Sequence, residues 1–141
     1  MTRRHQKTLA LGCYLIAAAA FAQQSNPLLG NWHGVVHDAD NVSMPFDFSY
    51  YPDNTFAQSM AIPPNSQTGK GSGILLARGH YRLLDDHTVE LTVEQRSMCP
   101  SGDMSACTPL PAGNVQIAPF RMEGLDKVVN TADGQITYRV R

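Results

Sequence analysis

The 141-residue chain has no apolar run long enough to cross a bilayer as a helix: the longest, Leu9 to Phe21, has 13 residues where a span needs roughly 20. Positive charge is scarce too, with 11 Lys and Arg against 12 Asp and Glu and a formal net charge of −1. Without a basic cluster the chain has no footprint for the phosphate backbone of a nucleic acid and no polybasic membrane patch. No long stripe of apolar residues at helical spacing occurs, no internal repeat, and no linker rich enough to divide the chain. Tryptophan occurs once, at Trp32, and cysteine three times.

What is present begins with an export signal. Arg3, Arg4, His5 and Lys7 form a basic start, Leu9 to Phe21 is apolar, and Ala20-Phe21-Ala22 carries the small-residue pattern read by a signal peptidase. Cleavage after Ala22 leaves residues 23–141, 119 in all, a common size for one domain. It removes three of the Lys and Arg and none of the acids, so the net charge becomes −4. The expected location is periplasmic or secreted. A lipobox-like stretch, Leu9-Ala10-Leu11-Gly12-Cys13, has most of the apolar run after its cysteine, and Thr2-Arg3-Arg4 is followed by Gln6 and Lys7 where a twin-arginine signal is apolar. The general secretory route fits better than either.

With Cys13 in the signal, Cys99 and Cys107 remain as an even pair in an oxidising compartment, which predicts a disulfide contributing about 2–3 kcal/mol. The spacing is not Cys-x-x-Cys and there is no second pair, which disfavours a redox couple or half of a metal site.

The dominant pattern has period two. Met44, Phe46, Phe48 and Tyr50 alternate with polar or turn-forming residues, the turn segment YPDNT follows, and Phe56, Met60 and Ile62 return around Gln58, which predicts a hairpin. Tyr81 and Leu83 precede a turn at Asp85-Asp86-His87, after which Val89, Leu91 and Val93 alternate with Glu90, Thr92 and Glu94. Val115 and Ile117, then Phe120 and Met122, continue less cleanly around Pro119, which a central strand tolerates only with a bulge. Ala132-Asp133-Gly134 is a turn signal before Ile136, Tyr138 and Val140 on the last strand. With Asn31 to His37 and Ile74 to Arg78 added, the strands number seven or eight. The expected fold is all-β, an antiparallel up-and-down barrel of about eight strands, with a β-sandwich as the alternative. Residues 63–73 and the stretch after Cys99 are expected to be long loops.

Gly30-Asn31-Trp32 at the start of a strand, followed by antiparallel hairpins in an exported chain of this size, resembles the calycin barrels, the lipocalins, avidins and their bacterial relatives. The resemblance implies that Trp32 plugs one end of the barrel and that Arg139 or Arg141, from the final strand, stacks on its ring. Strand parity makes a competing statement: if Ile136, Tyr138 and Val140 face inward, Arg139 and Arg141 face outward.

No catalytic constellation is present. His33 and His37 lie near Asp38 and Asp40, but on a strand residues four apart are about 13 Å from each other, too far for one metal ion. The adjacent Asp85 and Asp86 read as turn residues, and Ser66, Ser72 and Ser101 lack the spacing of a nucleophile elbow. Gly69 to Gly73 lacks phosphate-loop spacing. No catalytic residue, metal or cofactor is expected. What remains is binding: a small apolar or amphipathic ligand held among Phe46, Phe48, Phe56, Met60 and Tyr81, or an exported protein engaged by a loop containing Lys70, Ser72 and Gly73. The second alternative is an inhibitor or immunity-type role. Ser72-Gly73 is similar to the Ser-Gly loop that some periplasmic lysozyme inhibitors insert into the enzyme's cleft.

Overall fold

The structure, a computed structural model, describes residues 25–64, 72–100 and 103–141. The export signal of residues 1–22, with Cys13, lies outside the described residues, and so does Lys70. Nine strands form one antiparallel sheet: β1 (Gly30–His37), β2 (Ser43–Tyr50), β3 (Thr55–Ile62), β4 (Gly73–Asp85), β5 (Thr88–Pro100), β6 (Thr108–Leu110), β7 (Val115–Met122), β8 (Lys127–Asn130) and β9 (Ile136–Arg139). Eight of them close a ring in the order β1-β2-β3-β4-β5-β7-β8-β9, with β4 pairing β5 and the first strand pairing the last. The short β6 adds to β5 outside the ring. Closure rules out the sandwich. Among the described residues no helix is long and apolar enough to cross a membrane.

The turns are locally encoded. In five places an aspartate accepts the backbone N–H two residues on: Asp38 from Asp40, Asp53 from Thr55, Asp85 from His87, Asp103 from Ser105 and Asp133 from Gln135. This Asx geometry satisfies donors that a reversing backbone leaves free, and Asn41 and Asn54 supply the positive φ that two of the turns need. Between the turns the apolar alternation selects one face. Trp32, Phe46, Phe56, Tyr81, Val89, Leu91, Val93 and Phe120 are buried inside.

Five sequence expectations change. The strand expected at 74–78 and the one containing Tyr81 and Leu83 are a single strand, β4, whose pairing with β5 shifts between Arg78 and Gly79. The extra residue, Glu94, lies on β5; β4 keeps one inward parity through Ala77, Gly79 and Tyr81, and its small middle residues hide the strand's continuity in the sequence. The loop after Cys99 contains β6, and Lys127–Asn130 is a strand too short to show a period. Val115 and Ile117 point outward, 57% and 61% exposed, because the ladder with β5 sets Leu91 against Gln116 and Val89 against Ala118. On β9, Tyr138 is 56% exposed while Thr137 and Arg139 face inward. The seam decides this: Thr137 lies opposite Gly34 and Arg139 opposite Trp32, and Phe46 and Thr137 fill the space above that glycine. Pro119 is accommodated where β7 passes from its partner β5 to its partner β8.

Candidate functional site

One end of the barrel is sealed by the segment leading into β1. Leu28 and Trp32 are each only 2% exposed, and the indole Nε1–H donates to the Leu28 carbonyl at 2.7 Å. The Arg139 guanidinium lies over the indole, 4.2 Å from the ring centroid, and donates to the carbonyls of Pro27 (2.9 Å), Leu125 (3.0 Å) and Leu29. Gly30 has φ +114°, and a Cβ there would stand 2.8 Å from that guanidinium, so the glycine two positions before the tryptophan is required by the plug. Arg141 instead pairs with Asp126 at the surface. Asn26 donates to the Tyr81 hydroxyl at 2.8 Å, which donates to the Tyr51 carbonyl at 2.9 Å. Tyr81 also meets Tyr50 edge-on, with centroids 4.9 Å apart. Burial, reinforced by Tyr81, pushes the Tyr50 phenol far up, so it is neutral at any ordinary pH.

Above this plug lies a cavity of about 210 Å³. Phe46, Phe48 and Tyr50 of β2 line one side, with Leu28, Trp32, Val89, Leu91 and Phe120 toward the plug. Gln116, Ala118 and Pro119 of β7, Val128 and Asn130 of β8, Thr137 of β9, Gln135 of the preceding turn and Gln58 of β3 make up the rest of the lining. Among the described residues the lining contains no Asp, Glu, Lys, Arg or His. Asn130 accepts the Ala132 N–H at 2.9 Å, and Gln135 Nε2 donates to the carbonyls of Val35 and Ile136. The side chains of Gln58, Gln116 and Thr137 have no hydrogen-bond partner among the described residues. The other depressions, such as the one beside Ala57, Leu76 and Arg78, lie on the outer surface.

The opposite end holds the 38–42 and 131–135 turns, the ends of β3 and β5 and the start of β4. A disulfide joins Cys99 to Cys107 there. Cys99 is fully buried and pairs in register with Ile74, on the side of the sheet away from the interior.

Of the five residues expected to hold a ligand, Phe46 and Phe48 line the cavity. Phe56 stacks on Phe48 at 5.2 Å, and it and Tyr81 belong to the core beneath. Met60 is half-buried nearer the mouth, between Phe46 and Leu75 in register. Ser72 is exposed, and Gly73 opens β4, where a Cβ would come within 2.8 Å of the Cys99 carbonyl. The approach of β4 to β5 accounts for that glycine. His33 pairs with Asp47 at 2.9 Å on the outer face. Asp85, Asp86 and His87 bring their ligating atoms within 4.8 Å of one another, but all three are exposed, and the turn lies at the sealed end. The polar side of the cavity went unseen in the sequence. Gln58 carried a signal, being the one polar residue on the inward parity between Phe56 and Met60; Gln116, Asn130 and Thr137 carried none before the ladder placed them.

No protein-family model matches the chain, and no curated protein matches it.

Proposed function

We propose that this protein is an exported, non-catalytic binding protein of calycin-like type that holds one small ligand inside its barrel. The observation that carries the reading is the cavity: about 210 Å³ of space between a hydrogen-bonded plug and the opposite end of the barrel. A solid barrel would fill that volume with side chains, and an apolar cavity of about 150 Å³ already admits benzene. The disulfide and the basic-apolar-small leader support export. Catalysis is not proposed, because the cavity is lined by no general acid or base and no nucleophile with an activating partner.

The test is a thermal-shift screen of small hydrophobic and amphipathic compounds, since a ligand that binds the folded state raises its melting temperature by mass action. Binding should be lost in Phe48→Ala, which removes the aromatic side, and in Thr137→Phe, which fills the space. A screen in which no compound shifts the wild-type melting temperature, or in which Thr137→Phe responds as the wild type does, would overturn the proposal.

A further inference from the structure

The cavity has two unlike sides. On β2 the Phe46 and Phe48 rings line it, and the strand order sets β2 across the barrel from β7 and β8. That opposite region presents the Gln116 amide among Ala118, Pro119 and Val128, while the Thr137 hydroxyl and the Gln58 amide flank the rings themselves, Thr137 beside Phe46 over Gly34 and Gln58 in register with Phe48. These groups are open to solvent rather than bonded to the protein, so a hydrocarbon guest that displaced the water would strand a donor and an acceptor together. A charged guest fares worse, because none of the described lining residues carries a compensating charge. The nearest inward-facing cation toward the mouth, Arg96, stands beside Ala77 and Leu110, two strands from Gln58 and outside the lining. Flat rings suit the aromatic side, which offers faces for stacking. The volume limits the guest to about the size of one or two rings, judged against the benzene-holding cavity.

The geometry points to an uncharged, flat, one- or two-ring compound with hydrogen-bond donors and acceptors on its edge as the ligand class, seated on Phe46 and Phe48 with its polar edge on Gln58, Gln116 and Thr137. This inference rests on the cavity being the binding site.

Calorimetric titration of the purified protein with three bicyclic probes of matched shape separates the two ideas. Quinolin-2-one carries a neutral donor-acceptor edge, naphthalene has none, and 2-naphthoate is an anion. Quinolin-2-one should bind about tenfold tighter than either of the others, the worth of one or two well-made buried hydrogen bonds. Gln58→Leu and, independently, Thr137→Val should each narrow that preference, weakening quinolin-2-one and, with the stranded polar group gone, tightening naphthalene. Having two variants guards against one failing to fold. Naphthalene binding as tightly as quinolin-2-one would overturn the ligand class and leave the binding site standing. Tighter binding of 2-naphthoate, lost in Arg96→Gln, would overturn it in favour of an acidic ligand anchored at the mouth. No binding by any probe to the folded protein would overturn the inference together with the site on which it rests.

Discussion

The two ends of the barrel solve opposite problems. At the sealed end Trp32, Leu28, Tyr81 and Arg139 bring their polar atoms to one another's backbone, so that Pro27, Leu28, Leu29 and Tyr51 each have a carbonyl occupied by a side chain. At the open end Gln58, Gln116 and Thr137 keep hydrogen-bonding groups in reserve, and the order comes from covalent and local devices: a disulfide and Asx turns. Satisfied polar groups rigidify a core, whereas unsatisfied ones exposed to a cavity favour a guest. The contrast implies that substitutions at the sealed end register in stability and those around the cavity register in binding.

The strongest way to break that contrast is Trp32→Ala, which empties the largest fully buried side chain of the plug. It should cost about 3–5 kcal/mol by urea unfolding. Removing the disulfide by Cys99→Ser with Cys107→Ser should cost about 2–3 kcal/mol through the freed unfolded chain. Trp32 fluorescence in the folded variant should stay that of a buried indole, and free-thiol titration of the unreduced wild type should find neither cysteine reactive. Arg139→Lys keeps a cation near the indole but loses the planar fork that reaches several carbonyls, and should cost about 1–2 kcal/mol. Gln116→Ala should stay within about 0.5 kcal/mol of wild type in stability, as an exposed position without partners does, while weakening ligand binding.

The smallest effect is at the exposed β4–β5 turn. The hydrogen bond from His87 to the Asp86 carboxylate, aided by the charge of Asp85, holds the His87 pKa above its usual value of 6.5. Since the folded value is the higher one, the added stability is complete below the unfolded histidine pKa and is lost as pH rises through the folded value. An NMR titration should show the His87 midpoint above 6.5 in the wild type and closer to it in Asp86→Asn. An unmoved midpoint would remove the interaction.

Much of the fold was legible in advance because its causes are local. Period two in Met44 to Tyr50 and Val89 to Val93 gave the inward faces, and turn residues gave the reversals. β8 was invisible because four residues, Lys127–Asn130, cannot show a period. β4 looked like two strands because the small Ala77 and Gly79 interrupt its inward run of large apolar residues, the bulge itself lying on β5 at Glu94. The aromatic side of the cavity was legible in part through Phe46 and Phe48, since large apolar side chains on one parity announce an interior. Its polar side was not, because a glutamine or threonine on a strand is equally at home in water.

The sequence by itself therefore determined the strand chemistry, the turns, the apolar face of β2 and the cysteine pair. Each of these depends on residues close along the chain or on composition. Tertiary structure decided which way β9 faces. Parity of Ile136, Tyr138 and Val140 pointed those residues inward, yet the seam with β1 turns them out, because Arg139 in the plug gains an indole face and several carbonyls at once. It likewise decided that Gln58, Gln116 and Thr137 share a cavity with Phe46. Ring closure brings these residues together, Phe46 and Thr137 lying 91 positions apart in the chain, and no local pattern connects them.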